Sequence, residues 1–390
     1  MQHSQRLQQL PSQFFSSLVQ KVNKAINEGR DIINLGQGNP DQPTPTAIIE
    51  ELYASAKKPK NHGYSPFRGL ISFKDAICQF YKREYNVDLD RDKEVAILFG
   101  GKSGLVQLPL CFCNEGDVVL APDPGYPDYL SGIALAKAAP FFMPLEQKNN
   151  YLPDYSLIPK HIADKAKLVF LNYPNNPTGA CSTDSFFQDT VTFARENEIG
   201  VIHDFAYGAI GYDGNKPLSF LQSDGAKDVG IEIYTLSKTF NMAGWRVGFA
   251  VGNEQMIEAI NLLQDHLYVS LFPAIQDAAA KALLECREEV IELVGLYEKR
   301  RNTFIESCRK IGWEGHSPEG SFFVWMPVPE GFTSEAFSDR LLELADVAVA
   351  PGIGFGPCGE GYVRIGLVEP EERLLEAVAR IGKSRLLKKK

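Results

Sequence analysis

The stretch Ser237-Lys238-Thr239-Phe240-Asn241-Met242-Ala243-Gly244-Trp245-Arg246-Val247-Gly248 comes directly after Ile231–Leu236, a mostly apolar run typical of a buried strand. A lysine thus stands just past a strand end, and an arginine follows eight residues later. A lysine held beside an apolar sheet can lose its proton and attack a carbonyl group. An arginine nearby can hold a phosphate. The stretch therefore predicts a site in which an amine and a guanidinium serve the same ligand.

Short apolar runs of the same kind recur along the chain, separated by segments with helical periodicity. They are Val95–Phe99, Asp117–Ala121, Leu168–Leu171, Gly200–His203 and Val247–Val251. Short strands without polar alternation are buried on both faces, as in parallel sheets. The pattern predicts an α/β fold in which helices cover a mostly parallel central sheet, with one large domain over residues 50–285.

The chain changes character after residue 285. The sequence there predicts a charged helix, three strands and an amphipathic helix, over Glu288–Cys308, Ser321–Trp325, Val347–Ala350, Tyr362–Gly366 and Glu371–Leu387. A further helix, predicted over Phe14–Asn27, is expected to pack with them. Residues 1–49 and 286–390 are therefore predicted to form a smaller α+β domain.

Composition and charge limit the classes of function. The 390 residues are 44% apolar and carry a net charge of −9, so the basic face that binds nucleic acid is not expected. No apolar run approaches the ~18–20 residues of a membrane span, and the polar start of the chain does not resemble a secretory signal. The seven cysteines and six histidines show no metal-ligand spacing. We expect a cytoplasmic protein without a metal site, with Lys388–Lys390 as a solvated tail.

Polar clusters follow five of the predicted strands. They are Gly100–Gly104, Asp123–Tyr129, Asn172–Gly179, His203–Tyr207 and the lysine stretch quoted above. In open α/β sheets, ligands bind outside the carboxyl ends of the strands. Each loop taken alone is compatible with a plain turn or a helix cap. Their occurrence together, each after its own strand, favours one composite site.

The glycine-rich cluster predicts phosphate binding, because glycines let backbone N–H groups approach an anion at a helix N-terminus. Its Gly101-Lys102-Ser103 segment matches the end of a P-loop. That motif also requires a glycine at position 96, where this chain has Ala96. The cluster therefore does not favour ATP.

The remaining clusters supply the other parts of a cofactor site. Tyr126 can stack on an aromatic ring, and Asn176 presents a side-chain amide. Asp204 ends a buried strand, where a carboxylate is costly unless it meets a cation such as a protonated ring nitrogen. Pyridoxal 5′-phosphate (PLP) requires these partners, a lysine for its Schiff base and a phosphate clamp. The clusters together predict a PLP site.

The same segments resemble the motifs of the fold type I PLP-dependent aminotransferases of class I/II. The resemblance is carried by Asn176–Gly179, Asp204–Tyr207 and Ser237–Gly248. It runs from Gly36-Gln37-Gly38-Asn39-Pro40 to the strand that contains Arg364. Within the family, the chain is most similar to the methionine-salvage aminotransferases of the Bacillus type. The resemblance implies the fold type I architecture and PLP as the cofactor.

The resemblance also implies catalytic roles. Lys238 would hold the cofactor as a Schiff base and then shuttle a proton, while Asp204 would keep the ring nitrogen protonated. Asn176 and Tyr207 would donate hydrogen bonds to the phenolic oxygen of the ring. Tyr126 would stack on the ring face.

The family's phosphate contacts correspond to a second group of residues. By resemblance, the phosphate would be surrounded by Gly101, Lys102, Ser103, Ser237 and Arg246. Relatives commonly have a hydroxyl residue or glycine where Lys102 stands, so this chain departs from the family pattern there.

A third group concerns the substrate and the partner subunit. Gly38 and Arg364, together with Asn176, would bind the α-carboxylate of the substrate. Tyr64 resembles the tyrosine that reaches the phosphate of the partner subunit, which implies a homodimer with shared active sites. Phe14, Phe15 and the loop at 352–356 are candidates for an apolar side-chain pocket, although ordinary packing explains them equally well.

The resemblance implies an aminotransferase that moves an amino group between an amino acid and a 2-oxo acid by a ping-pong mechanism. Similarity to the subgroup predicts 4-methylthio-2-oxobutanoate as the acceptor, giving methionine. Aromatic, alanine or diaminopimelate specificity and a PLP-dependent C–S lyase remain alternatives, because the same core residues serve them. A non-enzymatic regulator is not expected, since the segment before Gly36 is short for a helix-turn-helix domain.

Overall fold

The computed structural model describes residues 2–11 and 14–387, so the predicted tail Lys388–Lys390 lies outside the described residues. Strands β1–β12 are Ile33–Asn34, Val95–Leu98, Val118–Asp123, Ala139–Pro144, Ala166–Leu171, Gly200–Asp204, Gly230–Thr235, Gly248–Gly252, Phe323–Pro327, Val347–Ala348, Ala350–Pro351 and Tyr362–Gly366. Helices α1–α15 are Gln5–Gln8, Phe14–Asn27, Thr46–Ala56, Ile71–Tyr85, Gly101–Phe112, Asp128–Leu135, Lys160–Ala163, Asp184–Asn197, Ala226–Val229, Leu236–Thr239, Glu254–Leu267, Pro273–Glu285, Arg287–Lys310, Ser334–Ala345 and Glu371–Ser384.

Seven strands form the central sheet in the order β2-β8-β7-β6-β5-β3-β4. Strands β3 to β7 pair in parallel, whereas β8 is antiparallel to both of its neighbours, β2 and β7. The predicted α/β architecture with a mostly parallel sheet is therefore confirmed. The reversal at β8 accompanies the lysine stretch: residues 236–247 connect β7 to β8 with one short α-helix, α10, and no long crossover helix.

The sheet is buried on both faces, as its strand sequences predict. In β5, Leu168 and Phe170 enter the apolar core on one face, whereas Val169 and Leu171 enter the core on the other. This alternation is the two-residue period of a strand with helices packed on both sides. One strand of the central sheet was not predicted, and neither was β1 outside it. The strand of the central sheet is β4, an edge strand with mostly exposed or half-exposed residues and prolines at positions 140 and 144, so its sequence lacks an apolar run.

Two smaller sheets lie in the remaining chain. An antiparallel sheet has the order β11-β12-β9, and β1 pairs in parallel with β10. The single strand predicted over Val347–Ala350 is divided here, because Val347 pairs with Ile33 of β1 while Ala350 pairs with Arg364 of β12. The chain thus changes sheets within four residues and ties a segment near residue 33 to one near residue 347.

Helix α2 spans the residues that the sequence predicts, and its packing places it at the site described below. Leu18 and Val22 on this helix pack in one apolar cluster with Trp325 of β9 and with Ala348 and Ala350. The helix is amphipathic, so the same apolar face that meets the strands is also available to line a cavity.

In the ranges 2–11 and 14–387, no helix combines the length and apolar character that crossing a membrane demands. The His, Cys, Asp and Glu side chains of these ranges also form no group of three or more suited to a metal ion. The cysteines are free thiols.

Candidate active site

A cavity of about 530 Å³ opens where the carboxyl ends of β2, β5, β6 and β7 meet helix α2 and strand β12. Its wall brings together residues that the sequence places as far apart as positions 38 and 364. The predicted residues that line it are Gly38, Gly101, Lys102, Tyr126, Asn176, Asp204, Tyr207, Ser237, Lys238, Arg246 and Arg364. The strand-end arrangement expected from the sheet topology is therefore present.

Lys238 lies in the short helix α10, directly after β7. The Thr235 hydroxyl caps this helix by accepting a hydrogen bond from the Ser237 backbone N–H at 3.2 Å. The Lys238 ammonium donates to the Gly38 carbonyl oxygen at 2.7 Å. Burial, followed by the charges of Arg364 and Arg246, lowers the pKa of Lys238 to about 8. The amine is thus far more often neutral near pH 7 than an exposed lysine, as a nucleophile or base requires.

Asp204 ends β6 with its carboxylate buried. The Tyr129 hydroxyl donates to it at 2.8 Å, and the Asn172 side-chain amide donates to its backbone oxygen at 2.7 Å. Burial raises the pKa of the Asp204 carboxyl to about 6, and the hydrogen bond from Tyr129 opposes that rise. A buried carboxylate with one hydroxyl donor is suited to receive a cationic N–H group.

Arg364 on β12 reaches across to the loop after β5. Its Nη1 donates to Oδ1 of Asn176 at 2.8 Å, and its Nη2 donates to the Gly36 carbonyl oxygen at 3.0 Å. Its Nε is buried and makes no hydrogen bond with the described residues. Burial lowers the pKa of Arg364 to about 10, which still leaves the guanidinium charged near neutral pH.

Aromatic rings surround this guanidinium. Its central carbon lies 4.0 Å from the ring centre of Phe323, 4.8 Å from that of Phe355 and 5.6 Å from that of Phe15. The aromatic rings exclude water from the charged guanidinium, and their faces attract the positive charge weakly. A buried guanidinium with an unused donor beside a cavity has the chemistry to bind a carboxylate. The side chain of Phe14, the other phenylalanine predicted here, lies outside the part that the structure describes.

The other end of the cavity is built from the start of α5 and the turn between β7 and β8. Gly100 has a φ of 77°, and a Cβ built on it would lie 2.7 Å from Nη2 of Arg246. Arg246 itself has a φ of 55° and donates to the Ala243 carbonyl oxygen at 2.9 Å. Arg246, Gly101 at the N-terminus of α5 and Ser237 line the same cavity, an arrangement that can bind a phosphate.

Two of the residues predicted at the phosphate have other contacts, and a third is exposed. Lys102 lines the cavity, but its half-exposed ammonium pairs with Asp128 at 2.9 Å. The Ser103 hydroxyl donates to the Gly100 carbonyl oxygen at 2.9 Å. Tyr64 is 94% exposed on the surface. The predicted phosphate contacts of all three stay predictions.

Comparisons with known proteins agree with this geometry. Residues 30–381 match the family described as aminotransferase class I and II. The chain belongs to this family. The aminotransferase is 63% identical over 389 residues to the L-glutamine–4-(methylsulfanyl)-2-oxobutanoate aminotransferase of Bacillus subtilis strain 168, covering 100% of this chain and 98% of that protein. It is 44% identical over 381 residues to the LL-diaminopimelate aminotransferase of Moorella thermoacetica, covering 98% of each.

A solved structure of the substrate-bound Bacillus subtilis transaminase BacF has the same fold. It superposes with a TM-score of 0.96 at 48% identity and covers 98% of each chain. The fold is therefore that of the type I PLP-dependent aminotransferases, and the chain is a PLP-dependent transaminase, as the sequence predicts.

The cavity of the aminotransferase fits PLP on its own chemistry. The α5 end could hold a phosphate, and the amine of Lys238, with its lowered pKa, lines the same cavity. A buried carboxylate stands ready for a ring N–H, and Tyr126 offers an aromatic face in the same wall. The free donor of Arg364 could bind the carboxylate of an amino acid. The phosphate, the ring nitrogen and the ring face of PLP, and the carboxylate of a substrate, would thus each have a partner among the residues that line the cavity.

Several residues of the aminotransferase site were not predicted. Tyr129 holds Asp204, and Asn172 holds both the Asp204 carbonyl and the Asn176 backbone N–H, which it accepts at 2.7 Å. Both residues occur in predicted loops, and Asn172 is the first residue after β5, a position that could have revealed it. Phe323 is an ordinary core aromatic in the sequence, and no local pattern points to its place against Arg364.

Proposed function

We propose that the aminotransferase converts 4-(methylsulfanyl)-2-oxobutanoate to methionine, as the last amination of a methionine-salvage route. The observation that carries the proposal is the 63% identity, over the full chain, to the Bacillus subtilis enzyme named for that activity. L-Glutamine, the amino donor in that enzyme's name, is the donor to test first.

An apolar wall of the cavity favours a substrate with an unbranched, uncharged side chain. Phe15, Leu18, Val19 and Val22 of α2 line the cavity. Burying a methylthioethyl chain against such a wall is favourable at about 25 cal/mol for each Å² removed from water. Aliphatic and aromatic groups also suit a thioether sulfur.

The same wall argues against a diaminopimelate substrate. Such a substrate carries a second ammonium and carboxylate, and its distal ammonium needs an acidic partner. Among the lining residues that the structure describes, Asp204 is the only carboxylate, and we assign it to the cofactor. The cavity wall therefore does not suit diaminopimelate, although the chain is 44% identical to an enzyme named for that substrate.

We assign the proton transfer to Lys238. When neutral, the Lys238 Nζ takes the proton from the substrate Cα. It then gives a proton back in the second proton-transfer step of the transamination. Bound PLP supplies the electron sink that makes this Cα proton acidic. Asp204 stays ionised opposite a protonated ring nitrogen, since a hydrogen-bonded cation favours the charged form of a buried carboxylate.

Binding and orientation fall to the remaining residues. Arg364 and the Gly38 segment hold the substrate carboxylate, with Asn176 fixing the guanidinium. Tyr207 and Asn176 orient the ring oxygen, and Tyr126 covers the ring face. Gly101, Ser237 and Arg246 hold the phosphate, and Lys102 and Ser103 complete its surroundings. Held in this way, the scissile C–H bond is kept in reach of Lys238.

The proposal includes a cytoplasmic homodimer with two shared sites. A tyrosine that is 94% exposed, Tyr64, is unusual on a monomer surface and suits a contact with a partner subunit. Phe67 and Ile71 on the same segment are also exposed, at 58% and 59%. The role of Tyr64 at the partner's phosphate follows only if the dimer forms.

We also propose that residues 50–285 fold as the large PLP-binding domain and that residues 1–49 and 286–390 form the small domain. The central sheet lies within residues 95–252, and the antiparallel sheet lies within residues 323–366. Tyr207, Ile210 and Tyr212 belong to the proposed large domain but pack in the apolar cluster of the proposed small domain. The two proposed domains therefore share part of one apolar core.

The decisive experiment is a substrate panel with product analysis. Purified protein, loaded with PLP, is given 4-(methylsulfanyl)-2-oxobutanoate, phenylpyruvate, pyruvate or a diaminopimelate precursor, each with several amino donors. We expect the highest kcat/KM for the methylthio acid. A preference for an aromatic or dicarboxylic acceptor would refute the substrate assignment. Release of pyruvate and a thiol from a cysteine conjugate, without an acceptor, would indicate a C–S lyase instead.

A further inference from the structure

A buried polar pair lies beneath the site, on the adjacent strands β6 and β7. His203 and Glu232 face each other in the strand register, and both side chains are completely buried. The His203 Nδ1 lies 2.7 Å from Oε2 of Glu232. A buried ionisable pair is costly to desolvate, so its presence in a strand core calls for a reason.

Glu232 is saturated with hydrogen-bond donors. Besides His203, it accepts from the Tyr81 hydroxyl at 2.7 Å, the Ser219 hydroxyl at 2.8 Å and the Phe220 backbone N–H at 2.9 Å. Four donors around one carboxyl group fit its ionised form, which accepts only. The Nδ1 of His203 therefore carries a proton and donates it in a hydrogen bond to Glu232.

This bond decides what the other ring nitrogen can do. The His203 Nε2 lies 3.3 Å from the Tyr173 backbone N and 3.1 Å from the Tyr173 carbonyl oxygen. With the proton held on Nδ1, Nε2 is a lone-pair acceptor and takes the Tyr173 N–H. Apolar rings enclose the imidazole, with Phe205 at 5.0 Å and Phe187 at 5.1 Å between centroids.

Tyr173 connects this bond to the site. It follows Asn172, whose side chain accepts the Asn176 N–H and donates to the Asp204 carbonyl, each at 2.7 Å. Asn176 in turn holds Arg364. The path from Glu232 to the carboxylate-binding arginine thus consists of hydrogen bonds joined by the covalent chain of one loop, through the Asn172–Tyr173 peptide bond and through Asn176 itself.

We propose that His203 is a positioning residue for catalysis: Glu232 fixes its Nδ1–H tautomer, and its Nε2 then fixes the loop that presents Asn172 and Asn176. The inference rests on the proposed roles of Asn176 and Arg364 in substrate binding, and it does not depend on which 2-oxo acid is the acceptor. Outer-shell partners of this kind influence function through the groups that they orient.

The first test uses the unaltered apoprotein. Ring ¹⁵N–¹H spectra report which nitrogen of a histidine carries the proton, and the signal missing from His203→Asn identifies His203. We expect the proton on Nδ1. A proton on Nε2, donated to the Tyr173 carbonyl, would overturn the proposal without any kinetic measurement.

The second test compares two amides at position 203. The nitrogen of asparagine stands near the place of Nδ1 and keeps a donor to Glu232, whereas the amide of glutamine reaches the place of Nε2 and can accept from Tyr173. We expect His203→Asn to raise the KM for the best 2-oxo acid roughly tenfold, with a smaller change in kcat. We expect the KM of His203→Gln to lie close to that of the wild type.

A change in KM that exceeds the change in kcat distinguishes a positioning role from a loss of folded protein. A variant that only folds poorly lowers the active fraction, so its kcat falls while its KM stays. Ser219→Ala is the matched control, since it removes one donor to Glu232 and leaves the His203–Tyr173 bond, and we expect its KM within twofold of the wild type. A folded His203→Asn with unchanged KM, or an equal effect of Asn and Gln, contradicts the proposal.

Asn176→Ala is measured alongside to locate any failure. If it raises KM and His203→Asn does not, the link through Tyr173 is wrong while the site assignment stands. If Asn176→Ala also leaves KM unchanged, the proposed role of Asn176 is what fails.

Discussion

The Arg364 guanidinium and the Asn176 amide meet at 2.8 Å, although 188 positions separate them in the chain. Arg364 belongs to the small antiparallel sheet, and Asn176 follows the central sheet at β5. This contact closes one wall of the cavity and fixes the orientation of the planar guanidinium. It leaves Nε without a partner among the described residues, so the arginine keeps a donor for a ligand.

The first prediction follows from that geometry. Arg364→Lys keeps the positive charge, but an ammonium cannot donate in a fixed fork as the guanidinium over Phe323 does. We expect kcat/KM to fall roughly 10- to 100-fold for both amino acid and 2-oxo acid, the loss of one or two charged hydrogen bonds. Steady-state kinetics provide the measurement. Arg301→Lys, at a buried arginine paired with Asp213, is the control and should retain activity.

The second prediction concerns Lys238→Ala. Turnover should vanish while the fold remains. In the apoprotein near pH 7, the variant should be at least as stable as the wild type, because folding lowers the pKa of Lys238 from 10.5 to about 8. That shift corresponds to a penalty of at most on the order of 3 kcal/mol for the buried charge.

The sign of this effect can be checked through pH. Between a pKa of about 8 in the folded chain and 10.5 in the unfolded chain, the unfolded state binds more protons, so the wild-type apoprotein gains stability as pH rises. Urea unfolding near pH 7 and near pH 10 should show the advantage of Lys238→Ala shrinking at the higher pH. An advantage that grows would show that Lys238 is not desolvated.

The third prediction is kinetic. The capture of PLP by the apoprotein requires a neutral amine, so its rate should rise with pH and level off above a midpoint near 8 rather than near 10.5. The visible absorption band of lysine-bound cofactor reports the rate. Lys238→Ala supplies the baseline, and a midpoint close to that of an exposed lysine would contradict the burial argument.

The fourth prediction uses two glycines beside Arg246. Gly100→Ala is disfavoured by a φ of 77° and by a Cβ 2.7 Å from the Arg246 guanidinium, so the phosphate site must shift. We expect the Kd for PLP to rise on the order of tenfold, about 1.4 kcal/mol. Gly244→Ala is the matched control in the same turn, because a Cβ there meets nothing within 4 Å. Fluorescence titration of the apoprotein measures both.

The fifth prediction tests the shared site. Tyr64→Ala and Lys238→Ala should each be inactive or weak alone. Mixed subunits should regain roughly a quarter of wild-type activity, because half of the dimers are hybrids with one intact site each. Activity is measured after denaturation and joint refolding. If mixing restores nothing although hybrids form, Tyr64 does not serve the partner's site.

Much of this architecture is predictable because its signals are local. Apart from β4, the parallel strands are mostly apolar runs of five or six residues, and a polar residue at or just beyond the end of a run, such as Asp204 or Lys238, lies at the predicted edge. The motif residues come together because parallel strands bring their carboxyl ends to one edge.

The rest depends on contacts that no local pattern encodes. The Lys102 ammonium pairs with Asp128, a residue of a different loop, so its sequence position beside the glycines is misleading about its contact. Strand β4 pairs with β3 through its backbone while most of its side chains face solvent or lie half-buried, which leaves no apolar run to detect. Whether Val349 continues a strand or separates two depends on Ile33 and Arg364, each distant in sequence.

The pairing of β1 with β10 bears on how the enzyme comes into being. During synthesis, Ile33 leaves the ribosome more than three hundred residues before its strand partner Val347. Helix α2, which carries Leu18 and Val22 to the cavity wall, must therefore wait with an apolar face uncovered until almost the whole chain has been translated. Contacts of such long sequence separation form late and slowly. The central sheet can assemble earlier, so a ribosome-bound chain passes through a stage with a formed sheet and an unfinished active site.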